Sequence, residues 1–286
     1  MKTYGIVSTK GGVGKTSFSG NFGAMLADMG QRVLLVDGDF QQSLSSYYQI
    51  IHKAPYGLTK LITQKDPSEC ISHTSVKNLD IVLSDDVHGK LLEWLRESYN
   101  HPYFLAAALA KLKNDYDIVI IDSQGARSIM QQSIILASDE LIGPIVPGPM
   151  ESREFFRGTI EMLDSMKPID GLDMPGPKIP NFNGIIFMQA RTNDSKAIAM
   201  SIRKEFFAES GGTIKVLSSY IPLMSSYVKA SARQLPVHRL EVCRKGPTLS
   251  AHDAYLSVVH ELLPHLADTI PQWSNGDRIA KAGGVS

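Results

Sequence analysis

Residues 4–8 form a short apolar run that leads straight into glycines, the pattern of a buried strand feeding a loop. Over residues 15–29 the period changes. Phe18, Phe22, Met25, Leu26 and Met29 recur at three- and four-residue spacing, which predicts an amphipathic helix. Gly30 stands where a C-terminal cap belongs. Residues 33–36 are wholly apolar, as parallel central strands tend to be. The opening unit is therefore βαβ, which closes right-handed.

The alternation continues along the chain. Strands are predicted at 79–83, 118–121, 141–146, 185–188 and 216–221. Helices are predicted across 89–99, 103–113, 128–137, 151–166, 195–209, 225–232 and 251–267. A Pro/Gly-rich stretch at 168–180 reads as a surface excursion, and 271–286 reads as a loose tail. Strands alternating with helices give an α/β chain, with a mostly parallel twisted sheet and helices on both faces. No repeat and no break in composition divides it, so a single domain over 1–270 is expected.

Chemistry concentrates in the first loop, Thr9-Lys10-Gly11-Gly12-Val13-Gly14-Lys15-Thr16-Ser17. Glycines let a backbone bring its N–H groups close to an anion, and the helix that follows points its positive end at the same place. Lys15 suits β- and γ-phosphates, the Thr16 hydroxyl suits Mg²⁺, and Ser17 suits an inner phosphate. A glycine-rich turn with a chance lysine would not also follow a strand and open a helix. The strand at 118–121 ends in Asp122, which fits the carboxylate that holds Mg²⁺ through water in phosphate-loop proteins.

The usual glycine six residues before the lysine is replaced here by Thr9, and Lys10 stands beside it. This pattern, K-G-G-x-G-K-[ST], resembles the deviant phosphate loop of the ParA/MinD ATPases. The resemblance covers about residues 3–265 and implies a single P-loop NTPase domain that binds ATP and Mg²⁺ and hydrolyses ATP weakly under partner stimulation. It implies that Lys10 reaches across a nucleotide-sandwich homodimer to the partner's phosphates. Asp37-Gly38-Asp39-Phe40-Gln41 is similar to the family's D-x-D-P-Q motif, with Phe40 in place of proline. The family roles pass to Asp39, orienting the attacking water, and Asp37, supporting the metal site. Ser123-Gln124-Gly125-Ala126 follows Asp122 where the family has a proline-containing loop, and Gly125 there offers a backbone N–H near the γ-phosphate. Pro147-Gly148-Pro149 resembles the loop at the dimer face. Tyr220-Ile221-Pro222 resembles the loop near the adenine, which makes Pro222 and the strand-end Gln189 candidate base contacts.

Net charge changes the picture only locally. The chain has 29 basic and 29 acidic residues, so it is no polycation. Residues 191–245 nevertheless hold ten basic side chains against four acidic ones. Arg203, Lys204, Lys229, Arg233 and Arg239 are the candidate contacts to DNA phosphates, and scattered surface charge is the alternative. The resemblance is to the short ParA type, whose phosphate loop begins near residue 10. It implies non-specific DNA binding, a ParB-like partner and a cytoplasmic, nucleoid-associated protein. A second reading is a ParA-like adaptor that positions a protein machine, because the Asp-Ser-Gln-Gly segment also resembles accessory ATPases of DNA-transfer systems. A metabolic ligase is a third, and it lacks an acid–base set outside the loop. Cys70 and Cys243 form no C-x-x-C, the histidines have no metal-like spacing, and no apolar run reaches about 18 residues. The segment 273–284 carries little apolar stripe, which disfavours membrane docking.

Overall fold

The computed structural model describes residues 1–86, 88–166, 179–188, 193–244, 246 and 248–273. Among the described residues, nine strands make one sheet. They are β1 (Lys2–Ile6), β2 (Val33–Gly38), β3 (Ile50–His52), β4 (Ile71–Thr74), β5 (Leu79–Val82), β6 (Ile118–Ser123), β7 (Glu140–Ile145), β8 (Asn181–Met188) and β9 (Ile214–Pro222). Their order is β3-β4-β5-β2-β6-β1-β7-β8-β9. Every pairing from β5 to β9 is parallel, and β3-β4-β5 at one edge is antiparallel. The helices are α1 (Lys15–Asp28), α2 (Leu58–Thr63), α3 (Lys90–Arg96), α4 (Phe104–Ala110), α5 (Ile129–Leu136), α6 (Pro149–Asp164), α7 (Asn193–Glu209), α8 (Ser226–Ala232), α9 (Val237–Leu240) and α10 (Ala251–Leu262).

The central strands β2 and β6 are buried at every position, which their unbroken apolar runs demand. One face of the sheet is covered by α1 with α8, α9 and α10; the other packs against α2 to α7. Being held between the sheet and the C-terminal helices, α1 is buried on nearly its whole surface rather than on one stripe. Phe18 stacks on Phe22 at 5.1 Å and on Tyr255 of α10 at 6.0 Å. Small residues make the fit possible: a Cβ on Gly23 would fall 2.7 Å from Leu35 of β2.

The α/β class and the mostly parallel sheet follow the sequence pattern, but the antiparallel edge does not. Residues 50–52 and 71–74 carry no sustained alternation, and Ile51 points its apolar side chain into solvent at 67% exposure. The short helices α2 and α9 also fall below the length at which periodicity is readable. The excursion expected at 168–180 lies outside the described residues except for 179 and 180. The expected tail begins with anchored residues: Gln272 donates its backbone N–H to the Asp28 carbonyl at 2.7 Å. Residues 274–286 lie outside the described residues.

A buried ion network fastens α9 to the end of α1. Arg239 donates to both oxygens of Asp28, at 2.8 and 2.7 Å, and His238 Nε2 donates to Oδ2 at 2.8 Å. Burial alone raises the Asp28 pKa, but the His238 and Arg239 hydrogen bonds outweigh it and hold the carboxyl below its ordinary value. Burial also lowers the His238 pKa, against the pull of Asp28. Arg239 therefore does not belong with the DNA-facing cations. It is 7% exposed, and its guanidinium is committed to Asp28. Asp28→Ala would remove the buried carboxylate that His238 and Arg239 share, with a destabilisation of about 3–5 kcal/mol read as a lower urea midpoint. An unchanged midpoint would show that the network contributes nothing.

Candidate functional site

The phosphate loop emerges from β1 and closes into α1 through Gly14, whose φ of 93° is open to glycine at little strain. Below it, β2 and β6 run in register with Asp37 opposite Asp122. In a parallel sheet the carboxyl ends of the strands face the ligand crevice, which places both acids beneath the loop. A cleft of about 560 Å³ lies over them, lined on one side by Gly11, Gly12, Gly14, Lys15, Thr16 and Ser17. Asp39, Phe40, Gln41 and Ser43 line it from the segment after β2, and residues 123–126 from the segment after β6.

Lys15 is 6% exposed, and its ammonium points back to the Lys10 carbonyl at 3.4 Å. Burial lowers its pKa, against the pull of Asp122 and Asp39. Asp122 is wholly buried, and one oxygen accepts from Ser19 Oγ at 2.9 Å while the other, Oδ2, has no hydrogen-bond partner. Burial pushes its pKa up to about 7; Asp37 adds to this, and Thr16, Ser19 and Lys15 pull the other way. An orphaned carboxylate oxygen beside a threonine hydroxyl, with its charge disfavoured, fits a divalent cation. Among the described residues no group of three His, Cys, Asp or Glu side chains could hold a metal alone. A cation at Thr16 and Asp122 would therefore take its remaining oxygens from phosphate and water, as Mg²⁺ commonly does.

The two aspartates after β2 differ. Asp39 lines the cleft, with Oδ1 accepting from the Gln41 N–H at 3.0 Å. Asp37 does not line it and is 0% exposed. Its Oδ2 accepts from the Ser45 N–H and hydroxyl, each at 2.7 Å, and its Oδ1 accepts from the Asp39 N–H at 3.1 Å. Asp37, expected at the metal, has its oxygens occupied by the chain's own donors. Those contacts tie the Asp37 carboxylate to the 37–45 segment, which carries Asp39 along the cleft. Ser45 was invisible in the sequence because its link to Asp37 depends on the path of a loop, not on spacing.

Gly125 meets Gly11 backbone to backbone: a Cβ on Gly125 would fall 2.5 Å from the Gly11 Cα. Arg127, just beyond, pairs with Glu161 of α6, and Lys10 pairs with Glu154 of the same helix at 3.1 Å. A second, apolar cleft of about 630 Å³ adjoins the first at Gly12, Gly14 and Ser17. Phe187, Ile221, Leu223, Met224 and Tyr227 line it, while Pro222 is buried between two lining residues and does not. Gln189 lies outside the described residues. Of the basic candidates, Lys204, Lys229 and Arg233 are exposed; Arg203 is half-buried and donates to the Leu217 and Ser218 carbonyls at 2.9 Å each.

Residues 1–166 match the AAA_31 family, described as an AAA domain. The virulence plasmid ParA family protein pGP5-D of Chlamydia psittaci is 36% identical over 155 residues, 52% of this chain and 58% of that protein. The sporulation initiation inhibitor protein Soj of Bacillus subtilis is 34% identical over 149 residues, 50% of this chain and 58% of that protein. The chain thus spans about 58% of the length of these relatives. A Cyanothece McdA–ATP complex superposes with a TM-score of 0.72 at 22% identity, over 96% of this chain and 99% of that one. The Pyrococcus horikoshii septum site-determining protein MinD with Mg-ADP gives 0.67 at 19%, over 95% and 99%. At such identities these two likenesses speak for the fold alone.

Burial of Asp122 makes a testable pH signature. Its folded pKa lies above its unfolded value, so the folded chain holds the extra proton between about pH 4 and 7. Stability of the nucleotide-free protein should therefore fall as pH rises through that window. Asp122→Asn should remove that part of the slope and stabilise the protein at pH 8 by on the order of a few kcal/mol. Denaturant unfolding from about pH 4.5 to 8, in steps of about half a unit, reads it directly. A slope that survives intact in this neutral variant would assign the effect to other groups.

Proposed function

The chain belongs to the ParA/MinD family of P-loop ATPases, and from that premise we propose that it is an ATP-driven DNA-partition ATPase. On this reading ATP with Mg²⁺ occupies the cleft, two chains close over two nucleotides, and the dimer coats DNA without sequence preference. A ParB-like partner then stimulates a weak hydrolysis and the dimer releases DNA. The observation that carries the nucleotide step is the buried Asp122 with an unpartnered oxygen, beneath a glycine loop that bears Lys15 and Thr16.

Each residue has a task. The loop amides and Lys15 neutralise the phosphates, and Thr16 and Asp122 would hold Mg²⁺, which would supply positive charge against the charge developing on the transferred phosphoryl group. Asp39 faces the cleft where an attacking water would be oriented. Ile221, Leu223 and Phe187 offer an apolar slot for the adenine ring. Lys10, 46% exposed at its side chain, is free to swing from Glu154 to a phosphate of the second chain. Among the described residues no helix is long and apolar enough to cross a membrane.

The adaptor reading has its own support. The maintenance of carboxysome distribution protein A of Gloeothece citriformis is 29% identical over 171 residues, so relatives in name serve more than DNA. The burial of Arg239 also leaves a thinner basic surface than the sequence count. Co-purification of a secretion or coupling protein, with no ParB-like partner, would favour the adaptor.

DNA binding should require ATP, weaken with salt, and vanish in Lys15→Ala; binding indifferent to nucleotide sinks the partition reading. Lys10→Ala should still bind ATP yet stay monomeric by light scattering. Lys229→Ala and Arg233→Ala should each reduce the slope of log affinity against log salt by about 0.9 if each meets one phosphate. An unchanged slope would place the DNA surface elsewhere.

A further inference from the structure

A chain of buried hydrogen bonds runs into Ser17 from the far side of α1. Val237 opens α9, and its buried N–H donates to Asn21 Oδ1 at 2.8 Å. A buried amide N–H needs an acceptor, so the oxygen end of the Asn21 side chain is fixed toward Val237. The amino end then faces the other way and donates both its protons, to the Ser17 carbonyl at 2.8 Å and to Tyr47 Oη at 2.8 Å. Tyr47 therefore accepts from Asn21. A phenol has one proton to give, and the Tyr47 oxygen lies 3.3 Å from Ser17 Oγ. With that proton directed at Ser17, Ser17 Oγ would accept it and the Ser17 proton would be left for the cleft that Ser17 lines.

The ring that carries this relay is held in place. Tyr47 is 8% exposed and meets Tyr48 edge-on at 5.1 Å. It lies over Gly20, where a Cβ would fall 2.8 Å from the ring. Tyr48 in turn donates to the Gly20 carbonyl at 3.1 Å. Without such a relay a serine in the first turn of a helix readily turns its proton back to a backbone carbonyl and meets a ligand with a lone pair. A lone pair repels a phosphate oxygen; a directed proton makes a charge-assisted hydrogen bond.

We propose that Tyr47, oriented by Asn21, is a positioning residue that makes Ser17 an obligate hydrogen-bond donor to the inner phosphate of a bound nucleoside diphosphate or triphosphate. This rests on the nucleotide reading above and adds to it a residue outside the glycine loop. The contact exists with ADP as much as with ATP, so it governs affinity rather than turnover.

ADP with Mg²⁺ is the probe, titrated by calorimetry into the full chain. Ser17→Ala should weaken ADP about tenfold, and Tyr47→Phe about fivefold, since loss of a hydrogen bond to a charged group is of that order. Because Tyr47 acts only through Ser17, the double variant should lie within about twofold of Ser17→Ala. In ATP turnover Tyr47→Phe should raise KM with little change in kcat. Independent, multiplying effects in the double variant, or an unchanged affinity in Tyr47→Phe, overturn the relay. Should Tyr47→Phe fail to fold, neutron diffraction from the deuterated wild-type chain with ADP decides. A Tyr47 deuteron on the line to Ser17 Oγ supports the relay, and one on the line to Asn21 overturns it. A wild-type chain that binds no ADP removes the nucleotide reading together with the relay, whereas a chain that binds ADP but shows independent variants removes the relay alone.

Discussion

Two carboxylates, Asp37 and Asp122, sit side by side in the middle of the sheet with no exposed surface. Like charges at that depth cannot both be left bare. The fold deals with them differently. Asp37 accepts from Ser45 and from the Asp39 amide. Asp122 keeps one oxygen unmet under the loop, where a cation would find it. Lys15, itself desolvated, is a positive charge that offsets Asp122 until ligand arrives.

Which parts of this were readable in the sequence depends on how far apart the cooperating residues lie. The loop 9–17, Asp39 and Asp122 are contiguous with strands whose apolar runs announce them, so the elements that carry them could be read directly. The antiparallel edge could not, because three- and four-residue strands carry too few positions to show a period. Tyr47, Asn21 and Ser45 were equally silent. Each acts through a partner chosen by the tertiary path, such as Asn21 with Val237, 216 residues away. Arg239 failed for a related reason. A count of charges treats a guanidinium locked on Asp28 and one open to solvent alike, and only the packing of α9 on α1 separates them.

The C-terminal helices belong to the site as well as to the core. α8 supplies Tyr227 and Val228 to the apolar cleft, and α9 supplies the Val237 amide that orients Asn21. The ion network on Asp28 pins that same helix. A small shift of α9 would thus reach Ser17 through hydrogen bonds alone, with no movement of the sheet.

Helix α6 holds the phosphate loop through Glu154 on Lys10, and the segment after β6 through Glu161 on Arg127. If Lys10 leaves Glu154 for a neighbour's phosphate, one ionic contact is exchanged for another and the tally of contacts in each chain stays constant. Such an isodesmic swap carries little intrinsic bias toward pairing. On the proposed reading, the greater negative charge of the triphosphate end relative to a lone glutamate would tilt it, and a spent nucleotide would return the lysine to its own helix. Glu154 would then be the competitor against which the presence of the last phosphate is measured.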